Sequence, residues 1–409
     1  MKKIRVGLIG LSQRGFGLLK AVIVPEENRR ENVEVVMVCD LYEDRATEAA
    51  DYLEKIGEKR PVVTLNHHDV ITSPDVDAVI IMTSWESHIP LAIESMENGK
   101  YTAMEVGGAY SVEDCFKLVD AYERTGVHCM MLENCCYGRN ELMVLNMVRK
   151  GLFGDIVHCS GGYLHDLRSE IAHGVENRHY RLRNYKNRNC ENYPTHELGP
   201  IAKVLDINRG NRMVSLVSVA SCAKGLHEYI DKTEEVDKNL LNVDFAQGDI
   251  VTTIIKCAHG QTITLTLDTT LPRYYCRGFT VRGTKGMYEE ANGTVLLDPE
   301  HDEFNWKDHW GCAENYREEW EHPIWKNFLN DGVRGGHGGM DWLVFTAFFE
   351  SIERGITPPI DTYDTAAWMS ITPLSEQSIA QGGAPVAIPD FTRGAWCDRK
   401  FEATWEYDV

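Results

Sequence analysis

The opening segment constrains this chain most. Residues 4–9 form a short apolar run of strand character that leads directly into the stretch Gly7-Leu-Ile-Gly10-Leu-Ser-Gln-Arg14-Gly15-Phe-Gly17. Glycines at a strand-to-helix turn let the main chain approach a pyrophosphate closely. The N–H groups that begin the helix then face the phosphates with the positive end of its dipole. A glycine run alone is weak, and the strand–turn–helix setting is what gives it weight. A second apolar strand, residues 33–39, ends at Asp40. A carboxylate there accepts from ribose hydroxyls and repels a 2′-phosphate, so NAD is expected in preference to NADP. Gly10, Arg14, Gly15 and Asp40 are the first candidate cofactor residues.

The alternation continues through the first third of the chain. Residues 43–56 have helical spacing, Val62 and Val63 start a third strand, and residues 78–82 read as a buried strand followed by a helix over 90–97. A strand over 101–105, a helix over 112–125 and a last strand over 127–132 complete the series. Strands alternating with helices imply a doubly wound parallel sheet, an α/β Rossmann domain. Loops after such strands carry ligands. Two are rich enough to matter: Trp85-Glu86-Ser87-His88 and Glu105-Val106-Gly107.

The pattern then changes. A helix over 140–149 and a strand over 156–163 come first, followed by a polar stretch at 174–193 and a helix over 197–207. Period-2 segments at 213–220, 249–257, 262–269 and 278–283 predict antiparallel strands. Residues 301–340 read as loops, 340–353 as an apolar helix and 362–381 as a single helix. The chain of 409 residues therefore divides into a Rossmann domain at 1–135 and an α+β domain at 136–409, built on an open antiparallel sheet. An open sheet face needs cover, so a homo-oligomer, dimer or higher, is expected.

Charge narrows the partners. With 42 basic against 62 acidic side chains the net charge is -20, which argues against nucleic acid and against anionic membranes. The start MKKIRVGLIG is too short in its apolar part for an export signal, and no window approaches a spanning helix. Twelve cysteines without a C-x-x-C pair suggest neither a zinc site nor a disulfide framework, and no metal is expected. Free thiols suit a reducing, cytoplasmic setting.

Further stretches are distinctive: Met131 to Arg139 (MLENCCYGR), Asn192 to Pro200 (NYPTHELGP), Asn208 to Gly210, Gly283 to Gly286, Gly336 to Asp341 (GHGGMD), Tyr363 to Trp368 and Phe391 to Trp396. With the N-terminal pattern they resemble the Gfo/Idh/MocA oxidoreductases, and within them the NAD-dependent glycosidases of family 109, of the α-N-acetylgalactosaminidase type. The resemblance implies that Arg14, Gly15, Asp40, Trp85, Glu86, Ser87, His88, Glu105, Val106 and Asn134 contact NAD. It implies a sugar pocket of Tyr163, Arg181, Tyr193, Pro194, Thr195, His196 and Tyr275, with Tyr137 and His196 carrying proton transfers. Many wider relatives place a catalytic lysine after the fifth strand, where this chain has Val106. Two features depart from the resembled pattern: Glu197 replaces a glycine after His196, which would alter the pocket edge, and an export signal is missing.

Such an enzyme takes hydride from C3 of a sugar, loses the C2 proton and the aglycone, adds water and regains the hydride. It needs a base, an acid and a dry pocket rather than paired carboxylates. Tyrosine and histidine suit the proton transfers, so Tyr137, Tyr193 and His196 are the candidate catalytic residues. The residues also admit plainer readings. A lone His196 would be a helix cap or core residue, but Tyr193 beside it and the basic segment 179–183 favour a site. Thr195 can cap the following helix. Arg181 could be a surface ion pair, and Tyr163 and Tyr275 ordinary strand aromatics; His337, in a glycine-rich loop, could reach the pocket or merely sit in a tight turn, and is left outside the candidate set. The alternative activity is an NAD-dependent dehydrogenase of a sugar, glycoside or inositol that releases a keto product. A third reading is an NAD-binding protein without catalysis. The first two readings make a small carbohydrate the substrate.

Overall fold

The computed structural model describes residues 3–298 and 305–409. Its first sheet contains β1 (Ile4–Ile9), β2 (Val33–Cys39), β3 (Val62–Thr64), β4 (Ala78–Ile81), β5 (Tyr101–Met104) and β6 (Cys129–Met131). The order is β3-β2-β1-β4-β5-β6, with every neighbouring pair parallel. β1 and β4 are buried along almost their whole length, as strands covered on both faces must be. The order reverses between β1 and β4, which opens a crevice at their carboxyl ends. Gly10 sits there at φ +95°, and a Cβ on it would lie 2.5 Å from the Met82 carbonyl oxygen. Only glycine fits that position.

The second sheet contains β7 (Ile156–Leu164), β8 (Met213–Ala220), β9 (Ile250–Cys257), β10 (Thr262–Asp268), β11 (Thr280–Gly283), β12 (Gly286–Glu289), β13 (Thr294–Leu297) and β14 (Val386–Ala387). Its order is β13-β12-β11-β7-β10-β9-β8-β14. β7 and β10 run parallel, so the sheet is mixed rather than purely antiparallel. Period-2 burial identifies a strand but not the direction of its partner, and the short β12 to β14 carry too little periodicity to be read from sequence. The helix Thr195–Val204 packs on β7 and the helix Ile371–Ala380 on β8. These helices cover one face of the sheet.

Several local expectations change. The helix after β4 starts at Trp85 and contains Pro90, rather than starting at the proline. The expected helix 362–381 is two helices, Thr362–Met369 and Ile371–Ala380, which meet at Ser370. The polar stretch 174–193 contains the helix Arg181–Asn187. The expected loop region 301–340 contains the helix Pro323–Asp331, begun by a proline that needs no N–H there. Residues 301–304 of that region lie outside the described residues.

The C-terminal half returns to the first sheet. Thr362 Oγ1 accepts from the Cys129 backbone N–H, and the Met369 carbonyl accepts from Ala109 N–H. A buried ionic cluster anchors this return. Asp364 takes Lys203 Nζ at 2.9 Å and Arg209 Nη1 at 2.8 Å, while Asp361 takes Arg209 and Arg399. Burial would raise the Asp364 pKa, but Arg209 and Lys203 outweigh it and hold the carboxyl well below its usual range. Asp361 is lowered too, against burial and the repulsion of Asp364. Removing one member leaves buried cations uncompensated, so Asp364→Ala should cost about 3–5 kcal/mol in urea unfolding. Because the folded pKa values are depressed, this stabilisation is complete above the unfolded carboxylate value of about 4 and falls away as pH drops below it. A midpoint that stays flat between neutral pH and pH 3 would contradict this account.

Candidate functional site

Three carboxylates stand just past the carboxyl ends of parallel strands: Asp40 after β2, Glu105 after β5 and Glu133 after β6. Asp40 accepts from Leu11 N–H at 2.6 Å and Tyr42 N–H at 3.0 Å, which fixes it against the glycine turn. A Cβ on Gly15 would overlap the Gly10 carbonyl, so the turn admits no side chain at that position either. Glu105 accepts from Arg14 Nη2 at 3.1 Å. Burial pushes the Glu105 carboxyl up, and Arg14 opposes the shift.

Arg14 has a stronger partner that sequence reasoning did not assign. Asp341 takes it through both oxygens, at 2.9 and 3.0 Å. The same carboxylate accepts from Asn134 Nδ2 at 2.7 Å and meets His337 Nδ1 at 2.7 Å. Burial would raise the Asp341 pKa, but the hydrogen bonds from His337 and Arg14 prevail and hold it far below the carboxylate range. Asp341 and His337 therefore belong to this site. The glycine-rich loop left a pocket role for His337 open, whereas no local signal shows the pairing of Asp341 with Arg14, which spans more than 300 residues.

The loop after β4 divides its work. Trp85 is buried, with Nε1 lacking a protein partner. A Cβ on Gly107 would overlap the Trp85 indole, which explains the small residue after Val106. Ser87 Oγ donates to Thr83 Oγ1 at 2.7 Å, and His88 Nε2 is 3.0 Å from the Thr83 carbonyl. Burial pushes the His88 pKa down to about 4, so its ring is neutral and braces the loop. Glu86 pairs with Arg183. Ser87, His88 and Glu86 are committed to protein partners, and Trp85 Nε1 is the side-chain donor of this loop that is left open. Val106 is buried beside them.

Most of the expected sugar residues converge. Tyr193 packs against Tyr163 and Trp85 at a tilt, 4.3 and 5.6 Å between ring centroids, and edge-to-face against His196 at 4.8 Å. The Arg181 guanidinium lies 5.1 Å from the Tyr193 ring and 5.2 Å from Trp85. Its charge is balanced by Glu170 at 2.7 Å, while its Nη1 is buried without a partner. Tyr163 Oη meets His165 Nδ1 at 3.0 Å, and His165 in turn packs on the half-exposed Tyr275, which forms the rim. Burial pushes the Tyr193 and Tyr163 phenols up, so both remain protonated.

His196 is not a cap. It is the second residue of the helix Thr195–Val204, and its Nδ1 lies 2.9 Å from Glu133 Oε1. Burial would raise Glu133, but His196 outweighs it and keeps the carboxyl ionised. An ionised partner holds the proton on Nδ1 and leaves Nε2 as a lone-pair base. Thr195 is helical as well, facing Glu133 rather than capping, and Pro194 begins that turn. Cys135 Sγ shares this corner, and a carboxylate oxygen, the thiol and an imidazole nitrogen lie within 4.8 Å of one another. Burial pushes the thiol well up, which disfavours the thiolate a metal would need.

Two expectations change here. Tyr137 is fully buried and its hydroxyl donates to the Tyr407 carbonyl at 3.0 Å, so it does not join the ring of Tyr163, Tyr193 and His196. Glu197 is fully buried with its carboxylate 3.3 Å from Arg277, so it lies behind the pocket and not at its edge. Glu133 could have been found from sequence by the strand-end logic that found Asp40 and Glu105.

The crevice fits a dinucleotide. Its glycine turn admits no Cβ, Asp40 is preset, and Trp85 Nε1 is left without a protein acceptor. Asp341→Asn should loosen Arg14, Asn134 and His337 together and weaken NAD binding about 10- to 100-fold, by the roughly 1.5–3 kcal/mol of a charged hydrogen bond. Fluorescence titration reads this, and an unchanged Kd would remove Asp341 from the site.

Comparison with known proteins agrees with this geometry. Residues 4–133 match the oxidoreductase family with an NAD-binding Rossmann fold, and residues 137–398 match the C-terminal domain of glycosyl hydrolase 109. A glycosyl hydrolase family 109 protein of Stenotrophomonas maltophilia (strain K279a) is 38% identical, covering 98% of this chain and 91% of its own. An alpha-N-acetylgalactosaminidase of Tannerella forsythia is 36% identical, covering 97% and 88%. Among solved structures, levoglucosan dehydrogenase with NADH and levoglucosan is similar at TM-score 0.69 and 18% identity, covering 95% of this chain and 100% of its own. An inositol dehydrogenase homologue of Azotobacter vinelandii with NAD+ is similar at 0.66 and 14%, covering 94% and 97%. At such identities the solved structures speak for the fold alone. The chain belongs to the glycosyl hydrolase 109 family and is an NAD-dependent enzyme built on the Gfo/Idh/MocA fold.

Proposed function

We propose that this enzyme cleaves an α-N-acetylgalactosaminide, with His196 as the base and Tyr193 and Arg181 holding the sugar. The observation that carries the reading is the pair His196–Glu133 set within a ring of aromatics and one buried arginine. Glu133 orients the imidazole, so Nε2 is free to take a proton from carbon or hydroxyl. Bound NAD supplies reversible removal of hydride from the sugar, which acidifies the neighbouring C–H bond. Arg181 is charged at any working pH, and its free Nη1 suits a sugar hydroxyl or an N-acetyl carbonyl. Tyr193 stays protonated and serves as a hydrogen-bond donor. Trp85, Tyr163 and Tyr193 exclude water and offer faces for the ring. Tyr137 has no part in this scheme, because its hydroxyl is committed to Tyr407. Val106 supports the glycosidase reading over net dehydrogenation, since no lysine stands there to act as base.

Chromogenic α-N-acetylgalactosaminide should be hydrolysed without net NADH. Sugar released in D2O should carry deuterium at C2. His196→Ala should lower kcat about 10²- to 10⁴-fold while NAD remains bound. Steady NADH accumulation with a keto product would replace the reading by the dehydrogenase, and turnover without C2 exchange would exclude the elimination route.

The quaternary and cellular settings are proposed on separate grounds. On the face of the second sheet away from its helices, Val219 pairs with Thr252, Ile254 with Thr264 and Thr252 with Thr266. Val219 and Ile254 are more than half exposed. Such an uncharged β-branched block suits a copy of itself, giving a homodimer. All twelve cysteines are free thiols, which suits the cytoplasm. No described helix is long and apolar enough to cross a membrane. Light scattering should give a dimer mass for the native chain and a monomer mass for Ile254→Arg. A monomeric native protein would overturn the dimer.

A further inference from the structure

The stretch 173–183 of the second domain is fastened to two loops that flank β1. On the β2 side, Arg178 donates to both carboxylate oxygens of Asp44, at 2.7 and 3.0 Å, and Arg45 Nη2 donates to the Asn177 carbonyl at 2.9 Å. The Arg178 guanidinium also lies 4.3 Å from the centroid of the Tyr42 ring. On the β4 side, Tyr180 packs edge-to-face against Trp85, 4.9 Å between ring centroids, and Arg183 pairs with Glu86. Asp44 and Arg45 lie in the first turn of the helix Glu43–Lys55 that follows β2. Trp85 and Glu86 open the helix Trp85–Glu97 that follows β4.

The sheet order β2-β1-β4 puts these two anchors two strand spacings apart, roughly 10 Å, with the glycine turn after β1 between them. A dinucleotide lies along that carboxyl edge, its pyrophosphate at the glycine turn and its adenosine ribose at the acid that ends β2. A segment fastened on both sides of β1 therefore spans the adenosine half of the cofactor crevice. Its tip is strained. Arg178 takes φ +51°, a left-handed backbone that an arginine keeps only where its surroundings hold it. Asp44, and more weakly Tyr42 and Asp40, raise the Arg178 pKa, which puts its charge near the acid expected to receive the ribose.

We propose that residues 173–183 form a clasp over the adenosine half of bound NAD, latched by Asp44 and Arg178, and that NAD passes in and out while the latch is open. Both latch side chains reach solvent, and an exposed ion pair is weak. Such a pair suits a closure that must open for the cofactor to load. The same stretch carries Arg181, so the cofactor and sugar sites meet on one segment. The inference rests on NAD binding and not on which reaction follows it.

Charge attraction alone would give a different pattern. NAD is an anion, so removing the Arg178 charge would speed its release and slow its entry, whereas removing the Asp44 charge would do the reverse. A latch gives the same direction for both, because either substitution breaks the one pair. Full-length protein loaded with radiolabelled NAD and chased with excess unlabelled NAD reads the release rate, and fluorescence titration reads Kd. Asp44→Asn and Arg178→Gln should each speed release about 3- to 10-fold. Kd should rise by less than the release rate does, since entry quickens too. The double variant should release NAD no faster than Arg178→Gln, because a pair broken on one side is already open. Release slowed or unchanged by Asp44→Asn would overturn the clasp. So would Kd rising in full proportion to release in both variants, which marks a lost ligand contact, or effects of the two substitutions that simply multiply.

Discussion

The Asp341 carboxylate joins what the chain order keeps apart. It sits at the start of a helix from the C-terminal half, yet it binds Arg14 of the glycine turn, Asn134 beyond the last strand of the first sheet, and His337 of its own loop. Asp341 and Asn134 are buried there while Arg14 and His337 reach solvent, and the buried carboxylate is costly unless its charge is met. Here one ionised carboxylate answers one guanidinium, and the Asn134 amide fills a remaining lone pair. That arrangement fixes the position of the second half relative to the cofactor crevice. The return of Thr362 and Met369 onto the first sheet, secured by Asp361 and Asp364, works in the same direction. The sugar residues come from the second half and the strand-end acids from the first, so their meeting depends on these cross-links.

The architecture was legible wherever periodicity carries information over several turns or strands. The β1 turn, the six-strand alternation and the long strands of the second sheet follow from apolar spacing and glycine placement. Short strands such as β14, and the helices Arg181–Asn187 and Pro323–Asp331, are set by tertiary packing and gave little local signal. The parallel pairing of β7 with β10 depends on the path of the chain between them, which composition does not encode. At the site, Asp40, Glu105 and the Tyr193–His196 segment were readable because their local context constrains them. Asp341 was not, since its partners are remote in sequence. Tyr137 shows the opposite failure: the resemblance named it, and the fold turned its hydroxyl to the C-terminal segment.

Electrostatics separates the roles of groups that look alike on paper. His88 and His196 both follow loops of the catalytic cleft. His88 is desolvated against a carbonyl and stays neutral, whereas His196 is held by an ionised Glu133. Only His196 has an ionised carboxylate on its other nitrogen, which favours the imidazolium formed when Nε2 takes a proton. The same contrast holds for the carboxylates. Glu133 and Asp341 stay ionised against burial because each has a cationic or donating partner at hydrogen-bond distance. Glu197, against Arg277 but buried with Glu141 nearby, is pushed up instead. Glu197 follows His196 in sequence but faces Arg277, whereas the His196 imidazole is held by Glu133.

The absence of a lysine beside Val106 fits this arrangement. A dehydrogenase that releases its product needs a base for the hydroxyl and an exit for reduced cofactor. A glycosidase that returns the hydride needs the base near carbon, and a cofactor that stays through the cycle. In this molecule the His196–Glu133 pair brings an imidazole from the helix Thr195–Val204, while Gly107, beside Val106, packs against Trp85. On the proposed scheme, moving the base from the strand end to that helix is the structural step that would turn a dinucleotide fold from net oxidation toward bond cleavage.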